Sequence, residues 1–413
     1  MYELAIIGAG AGGIQAAKEA IKNNLKTILI EEFSLNFGGT CLNKGCIPTK
    51  LYLQLTKHNH NLENIFLRKN QIVDSIRKEI FSYLDRKGVE ILWGKAQLSD
   101  KHTIKINKKE IVAENIIVAT GSIPKRIIKP DGKKIIFAED IFNLSSLPTN
   151  ILIVGGGSIG LEFASFLNNL SKKVVVIEKE EQILPNFERK VSQRLRAILE
   201  KSGIVIKTST TLDEFNLEKF DIVLLAGGRT PNTENLNLGE IGLKTDSNGR
   251  IETNEYMQTN IDNVFACGDV TSHKMYAYVA EYQARVILKN ILGQREAINY
   301  EGISECIFSI PQIAKVGIDE DEAKKANLSY QIIRTNFRKF SSSHVYQDED
   351  GFIKLVVESK GKILGATIIS NYACELISIF SLAIRNHLTI DKIKNCVFTH
   401  PTLSEIIPSF LRS

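Results

Sequence analysis

The 413-residue chain has no uninterrupted apolar run of about 18 residues, which excludes a membrane-spanning helix of ordinary length. It also lacks a basic stripe interleaved with aromatic residues. The 52 Lys and Arg are nearly matched by 47 Asp and Glu, leaving a scattered net charge of +5, so neither a nucleic-acid groove nor a membrane surface is an expected partner. Met1-Tyr2-Glu3 lacks the basic start of a secretory signal, and glycines break the apolar residues that follow. That reads as a cytoplasmic protein in a reducing compartment, where paired cysteines serve chemistry more often than structure. Only six cysteines are present. Cys267, Cys306, Cys374 and Cys396 stand alone along the chain, so no second close pair completes a zinc site and no metal is expected.

The other two cysteines sit in Gly38-Gly39-Thr40-Cys41-Leu42-Asn43-Lys44-Gly45-Cys46-Ile47-Pro48-Thr49-Lys50. Small residues before them and Pro48 after them suggest a loop leading into a helix. A disulfide needs Cα atoms within roughly 4.4–6.8 Å, a span that an extended chain of this separation overshoots and one helical turn meets. A helix start also lowers a thiol's pKa and so favours the thiolate. A structural disulfide and a zinc knuckle are the alternatives. A redox-active pair beside a bound cofactor suits the setting better.

A βαβ unit occurs twice. Leu4-Ala5-Ile6-Ile7 is an apolar strand running into Gly8-Ala9-Gly10-Ala11-Gly12-Gly13, a helical stretch, and a second strand ending at Glu31. Ile151-Leu152-Ile153-Val154 repeats the order through Gly155-Gly156-Gly157-Ser158-Ile159-Gly160 to Glu178, with the same interval from first glycine to acid. The first glycine permits the tight turn, the second lets a pyrophosphate approach the backbone, and the third lets helix and strand pack closely. The helix N-terminus offers amides and dipole to phosphate, and the acid accepts hydrogen bonds from a ribose. Two copies imply two nucleotides. Glu178 is followed by Lys179-Glu180-Glu181, with no arginine cluster for a 2′-phosphate, so NAD(H) is favoured over its phosphorylated form.

Taken with Ala119-Thr120-Gly121, Gly227-Gly228-Arg229-Thr230-Pro231-Asn232, Cys267-Gly268-Asp269-Val270 and His400-Pro401-Thr402-Leu403-Ser404-Glu405, these motifs resemble the pyridine-nucleotide disulfide oxidoreductases over nearly the full length. The wording of the cysteine box and of the C-terminal motif is most similar to dihydrolipoamide dehydrogenases. The resemblance implies an α/β fold with two Rossmann-like nucleotide-binding domains, one for FAD and one for NAD(H), and a C-terminal α+β interface domain that makes a homodimer. The boundaries read as 1–142 and 231–299 for the FAD domain, interrupted by a helix-rich excursion from Lys50 to Lys87. They read as 143–230 for the NAD domain and 300–413 for the interface domain.

Residue by residue, the resemblance puts FAD on Gly8, Gly10, Gly13, Glu31, Gly39, Thr40, Lys50, Thr120, Gly121 and Asp269. It puts NAD on Gly155, Gly157, Gly160, Glu178 and Gly228. Cys46 would lie against the flavin and Cys41 would exchange with substrate. Thiol exchange needs a base that titrates near neutrality; His400 is the candidate, oriented by Glu405, and the alternative is a turn residue held by Pro401. Lys50 and Glu162 would pair near the flavin, the alternative being an ordinary surface Lys and Glu. The implied reaction oxidises dihydrolipoamide with NAD⁺ through the Cys41–Cys46 disulfide. Its substrate is a small dithiol, including one carried on the lipoyl domain of a 2-oxoacid dehydrogenase complex.

Several features depart from that pattern. Only a dozen residues separate the strands near Ile204–Thr208 and Asp221–Ala226, so the NAD domain is trimmed. The tail after Glu405 is short, Met275-Tyr276-Ala277-Tyr278 is atypical, and Phe398-Thr399 precedes His400. These features suit an NAD(P)H-dependent reductase of another small substrate as well: a disulfide, hypothiocyanous acid or another reactive chlorine species, or mercuric ion. A non-catalytic flavoprotein, a redox sensor or scaffold, is the alternative of a different class. In the last domain, Leu376, Ile379, Phe380, Ala383 and Ile384 recur at helical spacing and would fill the domain's own core.

Overall fold

The computed structural model describes residues 1–56, 62–144, 146–271 and 274–412. The chain forms two compact units, each built from separated segments. The first comprises Met1–Ile128, Glu139–Ser146 and Gly228–Asn299; the second comprises Lys129–Ala138, Leu147–Gly227 and Tyr300–Ser413.

In the first unit, strands Glu90–Trp93, Thr27–Glu31, Tyr2–Ile7, Lys109–Val118 and Val264–Ala266 lie parallel in that order. Their Leu/Ile/Val-rich sequences are those of strands buried on both faces. Leu4 and Ile6 point to a layer containing helices Ala11–Lys22 and Ala277–Ile291. Ala5 and Ile7 point to the opposite layer, filled by Leu98, Ile104, Leu236 and Ile251. The first half of Lys109–Val118 also pairs antiparallel with Thr103–Ile106, which pairs with Ala96–Leu98. The excursion after Lys50 is helical where described, as Cys46–Thr56 and Leu62–Arg86; its residues 57–61 lie outside the described residues.

In the second unit, strands Val205–Lys207, Lys173–Ile177, Asn150–Val154, Ile222–Leu225 and Ile135–Phe137 form a parallel sheet. The last of these corrects the boundary read from sequence. Residues 129–138, assigned there to the first nucleotide-binding domain, carry an edge strand of the second sheet, because Ile135-Ile136-Phe137 pairs with the fully buried Ile222–Leu225. Two single-turn helices, Leu212–Glu214 and Leu217–Lys219, occupy the short connection before that buried strand.

The rest of the second unit is an antiparallel sheet. Its order is Glu305–Ile307, Gln312–Gly317, Ile363–Ser370, Phe352–Glu358, Tyr330–Asn336. Helix Ala373–Arg385 packs on it through Leu376, Ile377, Phe380, Ala383 and Ile384. Ile377 takes the buried place expected for Ile379, which sits at the half-buried margin of the stripe. A stripe at 3.6 residues per turn passes nearer Ile377 than Ile379 once Ala373 and Leu376 are its anchors.

Candidate active site

The two glycine loops are the same device built twice. Helices Ala11–Lys22 and Ser158–Asn169 start from N-cap glycines of nearly equal conformation, Gly10 at φ −82°, ψ −169° and Gly157 at φ −80°, ψ −171°. The third glycine is compulsory in each. A Cβ on Gly13 would meet the Gly8 carbonyl at 1.8 Å, and one on Gly160 the Gly155 carbonyl at 1.9 Å. The acid at the end of the second strand turns back to the loop in both. Glu31 Oε2 accepts from Ala9 N–H at 2.8 Å, and Glu178 Oε2 from Gly156 N–H at 2.7 Å. Burial raises the pKa of Glu31, opposed by the amides that bond it.

These observations meet the needs of two nucleotides. Each unit offers a helix N-terminus whose first amides have no partner within the helix, and a fixed carboxylate beside it. Gly157 has no neighbour within 4 Å of where a Cβ would stand, and neither does Gly121. Open space of this kind admits a ligand to the backbone.

The cysteine box lies directly on the first glycine loop. A Cβ on Gly39 would stand 2.7 Å from Gly10 Cα, so only glycine allows that approach. Cys41 rides on the short helix Gly39–Asn43, and Cys46 opens the helix Cys46–Thr56. This folds the interval between the thiols into helical turns, as a reversible disulfide requires. Both cysteines are half-buried. The Cys41 thiol is hydrogen-bonded with Cys46, which with burial drives its pKa far above the ordinary value, while the Lys50 ammonium pulls it down. Lys50 lies one turn beyond Cys46 on the same helix.

Asn43 staples the box in place, and sequence reasoning missed its role. Its Nδ2 donates to the carbonyls of Asn36, Phe37 and Gly39 at 3.1, 3.1 and 2.8 Å. Its Oδ1 accepts from Arg77 Nε at 3.2 Å and Nη2 at 2.6 Å. Arg77 comes from the long helix Leu62–Arg86 and also pairs with Asp74 at 2.7 Å. Nothing local marks Arg77; only the tertiary fold brings it to Asn43.

Thr120, Gly121 and Asp269 meet in the same unit. Thr120 Oγ1 donates to the Asn232 carbonyl at 2.7 Å, and Asn232 N–H donates to the Gly121 carbonyl at 2.9 Å. Ser122 donates to the Asp269 carboxylate. Arg229, also missed, ties these together. It donates to Ser122 Oγ and the Ser122 carbonyl, both at 2.7 Å, pairs with Glu139 at 3.0 Å, and reaches Thr40 Oγ1 at 3.4 Å. The Gly227-Gly228-Arg229 motif was the available signal. Gly228, read as an NAD residue, falls in the first unit, its carbonyl accepting from Lys125 N–H at 2.9 Å. Gln283, fully buried, holds the turn before Asp269 by accepting from Gly268 N–H at 2.7 Å.

The second unit holds the remaining candidates. Glu162 is buried on helix Ser158–Asn169, and its Oε1 accepts from Phe308 N–H at 3.0 Å, so it is no surface side chain. His400 Nδ1 lies 2.9 Å from Glu405 Oε2. The imidazole is 71% exposed and the carboxylate only 18%, an arrangement that fixes one ring nitrogen and leaves Nε2 open to whatever comes against it.

Residues 2–284 match the family described as pyridine nucleotide-disulphide oxidoreductase, and residues 303–409 match its dimerisation domain. Dihydrolipoyl dehydrogenase of Chlamydia trachomatis is 34% identical over 444 residues, covering 98% of this chain and 95% of the relative. Dihydrolipoyl dehydrogenase of Geobacillus stearothermophilus is 31% identical, covering 98% and 94%. Among solved structures, the HOCl-induced flavoprotein disulfide reductase RclA of Escherichia coli superposes with a TM-score of 0.92 at 27% identity, over 100% of this chain and 99% of that one. The dimerisation domain supports a homodimer. Among the described residues no helix is long and apolar enough to cross a membrane. The chain belongs to the pyridine nucleotide-disulphide oxidoreductase family, as a dihydrolipoamide dehydrogenase-like enzyme that uses FAD and NAD(H).

Proposed function

We propose that this enzyme oxidises dihydrolipoamide with NAD⁺, yielding lipoamide, NADH and a proton, by way of a Cys41–Cys46 disulfide. The observation that carries the reading is the hydrogen-bonded Cys41–Cys46 pair, seated on the first glycine loop through the contact of Gly39 with Gly10. FAD would be held by that loop, Glu31, Thr40, Lys50, Thr120, Gly121 and Asp269, and supplies two-electron transfer between the thiols and the nicotinamide. NAD would be held by Gly155, Gly157, Gly160 and Glu178. In domain terms, Met1–Ile128, Glu139–Ser146 and Gly228–Asn299 would take the flavin, Lys129–Ala138 and Leu147–Gly227 the nicotinamide nucleotide, and 300–413 would form the subunit interface.

The chain's own residues perform the thiol chemistry. One substrate thiolate attacks Cys41 Sγ of the disulfide, and Cys46 leaves as a thiolate beside the Lys50 ammonium. The second substrate thiolate then attacks the substrate sulfur of the mixed disulfide, forming lipoamide and expelling Cys41. His400 Nε2, from the partner subunit in the dimer, takes the substrate proton, and Glu405 at Nδ1 stabilises the imidazolium. Glu162, held by Phe308 N–H, keeps a buried carboxylate in the second unit. The substrate arm is one borne by a lipoyl domain, and the compartment is the cytoplasm.

The test is NAD⁺-dependent oxidation of dihydrolipoamide by the purified flavoprotein. A rate no greater than that of Cys41→Ser refutes the reading. The superposition on RclA, a flavoprotein disulfide reductase, supports a second reading, reduction of a small disulfide. A substrate panel separates the two.

A further inference from the structure

Cys306 and Cys374, apparently isolated in the sequence, come together in the C-terminal sheet and helix. Cys306 lies on the edge strand Glu305–Ile307, opposite Ala314 of the neighbouring strand. Cys374 is the second residue of helix Ala373–Arg385. Its amide donates to Gln312 Oε1 at 3.0 Å, which anchors the helix start to the strand beside Cys306. Its thiol points at the Ile307 carbonyl, 3.9 Å away, and is hydrogen-bonded with the Cys306 thiol. Ser304 Oγ lies 4.0 Å from Cys306 Sγ on the other side.

We infer that Cys306 and Cys374 form a second redox-active dithiol, one that peroxide converts to an intrachain disulfide.

Three properties support this. The two thiols are hydrogen-bonded neighbours, held together by the helix start bound to Gln312 and by the strand edge at Ile307. Both side chains are half-buried rather than sealed in the core, leaving an oxidant a way in. The Cys306 pKa lies below the ordinary thiol value, first because the Cys374 thiol bonds to it and then because of Ser304, against the opposing effect of burial. A low pKa and partial exposure mark an oxidation-prone cysteine. Among the described residues no third His, Cys, Asp or Glu completes a metal cluster here. The bland alternative is that Cys306 is only a small apolar residue at the margin of the core.

The chemistry balances as follows. Cys306 thiolate attacks one oxygen of hydrogen peroxide, becoming a sulfenic acid as hydroxide departs and is protonated to water. Cys374 then attacks the sulfenic sulfur and expels a second water. Two thiols and one peroxide give one disulfide and two waters, and the Cys41–Cys46 pair takes no part.

The experiment treats dimeric holoenzyme with hydrogen peroxide, alkylates remaining thiols under denaturing conditions and maps tryptic peptides. The expected result is a peptide pair, 296–315 joined to 363–385, lighter by two hydrogens than the separate peptides, with two more thiols lost than in a C306S/C374A double variant. That double variant keeps its turnover. In Cys374→Ala alone, Cys306 should be trapped by dimedone as a sulfenic acid. Full alkylation of both cysteines after peroxide, oxidation of Cys306 to sulfinic acid without the link, or a link between subunits would each overturn the proposal.

Discussion

Gly157→Ala and Gly160→Ala separate nucleotide binding from folding within one loop. At Gly160 the new Cβ would lie 1.9 Å from the Gly155 carbonyl, against the ~3.3 Å of a close C···O contact. Both atoms belong to backbone, so helix and strand must part. Overpacking costs about 1–3 kcal/mol or more, against which Ala in a helix returns roughly 1 kcal/mol over Gly. Gly160→Ala should therefore lose on the order of 2 kcal/mol, a drop of about 4–8 °C in the melting temperature of a unit this size. At Gly157 the Cβ meets nothing within 4 Å, and φ of −80° suits any residue. Replacing an N-cap glycine by Ala costs only about 0.5 kcal/mol. That methyl nevertheless stands where a pyrophosphate approaches the helix N-terminus. Losing one or two amide–phosphate bonds at about 1.5–3 kcal/mol each should weaken NADH binding about tenfold or more. Thermal melts and the NADH dissociation constant, measured on both variants, check this. Equal destabilisation by the two substitutions, or unchanged NADH affinity in Gly157→Ala, would refute the reasoning.

Three other outcomes are expected. His400→Gln should lower turnover by about 10²–10⁴, and Glu405→Gln by a smaller factor, read from kcat with dihydrolipoamide; unchanged turnover in His400→Gln would remove the histidine from the proton path. Arg77→Met strips Asn43 Oδ1 of its two guanidinium bonds and should loosen the cysteine box by about 1.5–3 kcal/mol, seen as faster alkylation of the reduced thiols, with partial rescue by Arg77→Lys. Burial pushes the Cys267 thiol up to about 12 from an ordinary 9.0. Its contribution is fully present below pH 9 and is lost as pH rises toward 12, because only the unfolded thiol ionises in that window. Cys267→Ala should flatten the alkaline decline in stability by one proton, measured by denaturant titration across that range.

How much was legible in the sequence follows the distance over which each feature acts. The glycine loops, their acids and the cysteine box were readable because a turn, a helix start and a pair of thiols are local objects. Each lies in a strand–loop–helix or helical-turn setting. The domain edge at 129–138 was not readable. Three apolar residues suit either sheet, and only pairing with Ile222–Leu225 decides between them. The same holds for Arg77 with Asn43 and for Glu162 with Phe308, whose partners lie far along the chain. Cys306 and Cys374 are the plainest case: spacing made them solitary, and the packing of a helix start on a sheet edge made them neighbours. The C-terminal helix was read nearly in phase. The error, Ile379 for Ile377, is what remains when the sheet beneath is unknown.

The Asn43 staple bears on the energetics of the thiols when they are apart. Opening a disulfide ordinarily releases its loop to wander, and closing it again must recover that lost freedom. Here the five backbone and guanidinium bonds of one amide side chain do not depend on the sulfur–sulfur bond. These bonds restrain the loop between the thiols, so each thiol sees the other at high effective molarity and closing the ring costs little entropy. Each turnover thus begins from a hinge that scarcely swings.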